Sequence, residues 1–189
     1  MPLTAAQQAV FDQLAAEPGP VTWTGPATPG RWRASIRSGG GAGADPATIT
    51  FRKSQAFPGG ELHAVAFTRR GRRRPEHGLA RAWQQSDGTW TAALAGSGEG
   101  DGPSRDRPRV NFTTAWDAHH FAGSGDVTGA GQARRVRLTF ADGTTLADTV
   151  DNGVVLFWTS PGVTFPAHIE IHDAAGEVLA AYDDFDYLT

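Results

Sequence analysis

From Arg31 to Tyr182 the chain alternates apolar and polar residues in short runs, cut by turn-forming Gly, Pro, Asp and Asn every 8–14 residues, and no helical period appears after residue 17. Side chains that alternate in this way fall on opposite faces of extended backbone, so the rhythm specifies half-buried strands joined by tight turns. Arg31 to Arg37 alternates, with Trp32, Ala34 and Ile36 on one face and Arg31, Arg33 and Arg37 on the other. Thr48 to Arg52, Leu62 to Thr68, Ala80 to Gln85 and Thr89 to Leu94 follow as strands, the last two joined by an Asp87-Gly88 turn.

The second half carries the cleaner pattern. Val136, Leu138 and Phe140 run out to Asp142-Gly143, and Leu146, Asp148 and Val150 return. About 32 residues later Ala167, Ile169 and Ile171 run out to Ala174-Ala175-Gly176, and Val178, Ala180 and Tyr182 return. Each reads as a β-hairpin with glycine in its turn. Between them Val154 to Trp158 is apolar on both faces, which predicts a central buried strand. One helix is expected, over residues 4–17. Thr4 and Gln7 have capping-box spacing, Val10, Phe11 and Leu14 form one stripe, and Pro18-Gly19-Pro20 stops it.

These elements predict an all-β protein, an antiparallel β-sandwich of two packed sheets with one N-terminal helix. The Gly-rich stretch from Gly96 to Pro103 is the best linker candidate. It divides the chain into residues 1–20 (helix), 21–103 and 104–189, either as two small tandem sandwiches or as one large one. With 24 glycines and 12 prolines but no collagen period, the composition means many turns, and 39% hydrophobic and 10% aromatic residues suffice for a core.

Three segments carry a resemblance: Arg135 to Thr144, Asp151 to Phe157 and His172 to Leu179. Together, residues 135–182 resemble β-rich tails of uncharacterised actinobacterial proteins. The resemblance implies a β-rich fold and an actinobacterial source, and brings no catalytic motif or ligand.

Several chemistries are excluded by content. With no cysteine there is no disulfide, thiolate nucleophile or Cys-ligated metal, and Lys53 is the only lysine. The longest apolar run has five residues, and the N-terminus lacks a basic, then apolar leader, so a cytoplasmic address without a membrane span is expected. Gly39-Gly40-Gly41 is followed by Asp45-Pro46 and a strand instead of a helix, so no phosphate cradle forms there. No cofactor fingerprint occurs. Residues 1–100 hold 11 basic and 7 acidic residues, giving +4, whereas residues 101–189 hold 6 and 13, giving −7. The acidic total argues against nucleic-acid binding, and the split allows the halves to attract each other, within one chain or between copies.

Three constellations remain. His168, Glu170 and His172 share one strand face and have the donors of a zinc-type site, with Asp184 or Asp186 available to complete it. The alternative is a solvated polar face opposite Ala167, Ile169 and Ile171. Asp117, His119 and His120 could orient an imidazole as general base in a small hydrolase, but no serine sits in a nucleophile motif, and a plain loop corner with partly exposed histidines is the favoured reading. Arg69, Arg70, Arg72, Arg73 and Arg74 form a basic run at a predicted turn tip, suited to an anionic partner or simply solvated. Of six tryptophans, Trp32, Trp83 and Trp158 are expected in the core, and Trp23, Trp90 and Trp116 are the ones that could face out for carbohydrate stacking. The reading that joins these features is a non-enzymatic binding protein that engages a protein partner, or itself, through loops and complementary charge.

Overall fold

The computed structural model describes residues 2–16, 42–99, 108–116, 120–129, 131–160 and 166–183. Arg31, Arg33, Arg37, Trp23, Trp32, Asp117, His119, Asp184 and Asp186 lie outside them.

Helix α1 spans Ala5–Ala15. Its capping box is closed: the Thr4 hydroxyl accepts from the Gln7 N–H at 3.2 Å, and the Gln7 side-chain oxygen accepts from the Thr4 N–H at 3.1 Å. Ala6, Val10 and Leu14, four residues apart, form its buried stripe, while Phe11 is half-buried.

Eleven strands follow among the described residues: β1 (Thr50–Phe57), β2 (Gly60–Phe67), β3 (Glu76–Gln84), β4 (Trp90–Glu99), β5 (Arg109–Trp116), β6 (Phe121–Thr128), β7 (Arg135–Phe140), β8 (Thr145–Thr149), β9 (Val154–Thr159), β10 (Pro166–His172) and β11 (Val178–Asp183). All pairings are antiparallel, in sheets of order β1-β2-β3-β4, β5-β6-β9 and β11-β10-β7-β8. The protein is thus all-β and sandwich-like with one N-terminal helix, as the alternation predicts. Among the described residues the sheets number three instead of two.

Three cores lie between successive layers. Val10 and Leu14 of α1 pack on Val65, Phe67, Ala80, Ala82 and Ala92 of the first sheet. The opposite face of that sheet, with Phe57, Leu62, Ala64 and Leu79, packs on Ala122, Val154 and Leu156 of the second. The far face of the second sheet, with Val110, Phe121, Val155 and Phe157, packs on Val136, Leu138, Phe140, Ile169 and Ile171 of the third. The middle sheet is therefore covered on both sides. That explains the two-faced Val154 to Phe157 run, although β9 is an edge strand in pairing order and not a central one.

It also explains β5 and β6, which the sequence pattern does not announce. Phe121 to Gly125 is wholly buried, and a Cβ on Gly125 would lie 2.4 Å from Val110 Cγ1 and 3.0 Å from Val155 Cγ2. The proposed linker is partly strand as well, since Gly96 to Glu99 complete β4. A Cβ on Gly96 would meet Thr113 Cγ2 at 2.9 Å, so this glycine serves close approach of β4 to β5.

A β-bulge at Arg52 shapes the join between first and second halves. Phe51 pairs with Val65 and Lys53 with Ala64, leaving Arg52 as the extra residue. Phe51 and Ser54 stay on the helix side, while the consecutive cations Arg52 and Lys53 both reach residues of the second half.

Candidate functional site

The basic run forms the β2–β3 connection, and three of its five arginines are engaged by the fold. The Arg69 carbonyl accepts from the Arg72 N–H at 2.9 Å, with Gly71 at φ 79° in the third position of the turn. Arg69 Nε lies 2.8 Å from Glu76 Oε1, and Ser97 Oγ donates to the other Glu76 oxygen at 2.8 Å. Arg70 Nη2 donates to the Ala15 carbonyl at 3.0 Å, satisfying an end group of α1. Arg74 Nη1 meets Glu99 Oε2 at 3.2 Å across open surface. Arg72 and Arg73 are exposed, without an ion pair among the described residues.

His168, Glu170 and His172 do share the outward face of β10. His172 Nε2 lies 3.1 Å from Glu170 Oε2, and His168 Nε2 lies 3.5 Å from Glu170 Oε1. His168 Nδ1 reaches Asp183 Oδ1 at 2.5 Å, and His172 Nδ1 faces the Gly176 carbonyl at 3.1 Å. Into the same carboxylate comes Arg137, directly opposite on β7, with Nη2 2.5 Å from Glu170 Oε2. Partial burial pushes the Glu170 carboxyl up, but Arg137 and the bonds from Arg137, His172 and His168 outweigh it and hold the group below the usual carboxylate range. A guanidinium seated on the central carboxylate opposes a second cation. No group of three or more His, Asp or Glu suited to a metal ion occurs among the described residues.

His120 stacks on Trp158, ring centroids 4.9 Å apart, and Phe57 stacks on Trp158 at 4.3 Å. The Arg81 guanidinium lies 5.1 Å from the Phe57 ring, 5.5 Å from Trp158 and 5.6 Å from Trp83. Trp83 and Trp158 are thus half-buried around a cation, and Trp90, one of those that could face out, packs against the core under α1.

Two further clusters have no local spacing to announce them. Where β1, β3, β6 and the β8–β9 turn meet, Arg52 and His77 hold the two Asp126 oxygens, His77 through Nδ1 at 2.6 Å. Arg52 Nη2 also donates to the Asn152 carbonyl at 3.1 Å. A carboxylate behind an imidazole can orient a general base, but Arg52 also makes this cluster an ion-pair staple between the halves. Beside Asn152 lies a cleft of about 390 Å³ that Val127, Ala133, Arg134 and Val150 help to line, and neither His77 nor His120 lines it. Lys53 makes a second staple, donating to Asp148 Oδ2 at 2.6 Å and to the Thr149 carbonyl at 2.5 Å.

His63 is fully buried on β2, directly opposite Ser54. Its Nδ1 lies 2.8 Å from Ser54 Oγ, Glu61 Oε2 is 3.5 Å from Nε2, and burial pulls its pKa down from 6.5 to about 4. The ring is therefore neutral near pH 7, hydrogen-bonded to Ser54 through Nδ1, with Nε2 buried and without a hydrogen-bond partner among the described residues. Its low basicity makes it a poor proton acceptor for catalysis.

No helix among the described residues is long and apolar enough to cross a membrane. No family model matches the chain, and no curated protein or solved structure is similar to it.

Proposed function

We propose that this protein acts in the cytoplasm by binding, not catalysis, and that it engages an acidic protein surface, on a partner or on a second copy, through Arg72 and Arg73. The carrying observation is the division of labour in the β2–β3 turn. Arg69, Arg70 and Arg74 anchor the base, while Arg72 and Arg73 are held exposed at the tip. A turn fixed in this way loses little conformational freedom on docking. Much of the charge contrast between the halves is satisfied internally by Arg52–Asp126 and Lys53–Asp148. The tip arginines are left to seek an anion elsewhere, and a second copy offers exposed Asp151 and Glu177. The likeness of residues 135–182 to actinobacterial β-rich tails belongs to this proposal as scaffold only.

Sedimentation at low and high salt tests it. Species heavier than the 20.0 kDa chain should form at low ionic strength and dissociate as the Debye length shrinks from about 30 Å to about 3 Å. R72E/R73E should remain monomeric throughout, and neither substitution removes a contact within the fold. A double variant that associates like the parent, or a parent monomeric at every salt, overturns the second-copy form. A parent that neither self-associates nor binds acidic polypeptides such as poly-glutamate overturns the reading altogether.

A further inference from the structure

The geometry points to a carboxylate site at Arg81, at the seam between the first and second sheets, for a small ligand with a flat ring. Arg81 sits on β3 between Leu62 of β2 and Ala93 of β4, on the face that carries Leu79 into the shared core. Three aromatic rings, Phe57, Trp83 and Trp158, lie within 5.6 Å of its guanidinium carbon. Rings attract the cation through their faces, but they supply no hydrogen-bond acceptor in the guanidinium plane. Arg81 Nε is buried without a hydrogen-bond partner, and no ion pair to Arg81 is formed among the described residues.

A half-buried guanidinium normally meets a carboxylate or carbonyl, because an unmatched buried donor retains its desolvation cost. Other arginines in the fold obey this rule: Arg52 meets Asp126, Arg69 meets Glu76 and Arg137 meets Glu170. Arg81 is surrounded by rings instead. A planar carboxylate can take two parallel N–H bonds from a guanidinium edge, which a ring cannot. Trp83 and Trp158 are both half-buried, so a flat apolar body attached to the carboxylate would find aromatic surface beside the cation. The ligand class is therefore an aryl carboxylate. This site lies away from the Arg72–Arg73 tip and stands or falls independently of that reading.

Benzoate is the probe, and Trp83 and Trp158 provide the signal. Tryptophan emission of the full chain should change saturably with a Kd of about 1 mM, the scale set by the ligand's size. Acetate and benzyl alcohol, each with half the chemistry, should bind at least about tenfold more weakly. R81M keeps the stem among the rings and should lose benzoate binding by about tenfold or more, while R81K keeps the charge without the fork and should fall between. Should R81M fail to fold, the Arg81 Nε–H resonance of the parent, assigned with R81K, should shift on adding benzoate. Equal binding of benzoate by parent and R81M, an unmoved resonance, no saturable signal, or stronger binding of phenyl phosphate each overturns the assignment.

Discussion

Acidification should destabilise this fold through His63 before most of its carboxylates titrate. In the unfolded chain the imidazole has its ordinary pKa of 6.5, and in the fold burial lowers it to about 4. Between those values the unfolded state binds a proton that the folded state refuses, so stability falls as pH drops through this window. The surroundings explain the refusal. The side chain is fully buried, and Phe51 meets the ring edge-on at 5.4 Å. Nδ1 is already hydrogen-bonded to Ser54 Oγ, and Glu61 lies 3.5 Å from Nε2 and is itself half-exposed. The slope approaches 1.36 kcal/mol per pH unit, so the loss from neutral pH to pH 4 is about 3 kcal/mol from this group. Chemical denaturation of parent and H63Q at pH 7, 6, 5 and 4.5 isolates it, because every other titrating group is shared. The parent's stability should fall more steeply than that of H63Q, with the difference widening below about pH 6.5. Parallel curves would refute the reasoning, since a half-wet imidazole could accept its proton in place.

Three other perturbations probe the layering. K53M should leave Asp148 half-buried without its cation and lower the denaturation free energy by about 2 kcal/mol; a change below about 0.5 kcal/mol would show that the staple is screened. G125A should cost about 1–3 kcal/mol in the same assay by overpacking against Val110 and Val155, and a neutral result would mean that these side chains yield. L156A should cost about 2–5 kcal/mol, and because Leu156 shares a core with Leu62 and Leu79, tryptophan fluorescence should shift to the same lower midpoint as far-ultraviolet circular dichroism. Two separated transitions would refute that shared core.

The hairpins β7–β8 and β10–β11 are legible because Val136, Leu138 and Phe140, or Ile169 and Ile171, turn one face inward and leave the other polar. β6 is not, because a strand pressed between two sheets substitutes Gly123 and Gly125 for the apolar residues by which strands are recognised. The same burial from both sides hides the third sheet, since period-two patterns report which face is covered and not by what. At the candidate sites, the shared face of His168, Glu170 and His172 follows from strand geometry alone. Arg137, which changes what that face can do, arrives through the β7–β10 register, a tertiary fact. The Arg52–His77–Asp126 cluster is further from reach still. Its residues are separated by dozens of positions, and Arg52 and Lys53 aim together only because a bulge breaks the alternation that sequence reading depends on.

The order β5-β6-β9 also sets a schedule for synthesis. When β6 has left the ribosome, its far edge has no strand to pair with, and the chain builds the β7–β8 hairpin before β9 appears. The 25 residues from Gly129 to Gly153 take roughly one to five seconds to make at ordinary elongation rates. Throughout that interval β6 is a glycine-softened open edge that begins at Phe121, available to another nascent chain. Pausing within Gly129 to Gly153 should therefore increase misassembly, whereas a pause after Thr159 should not.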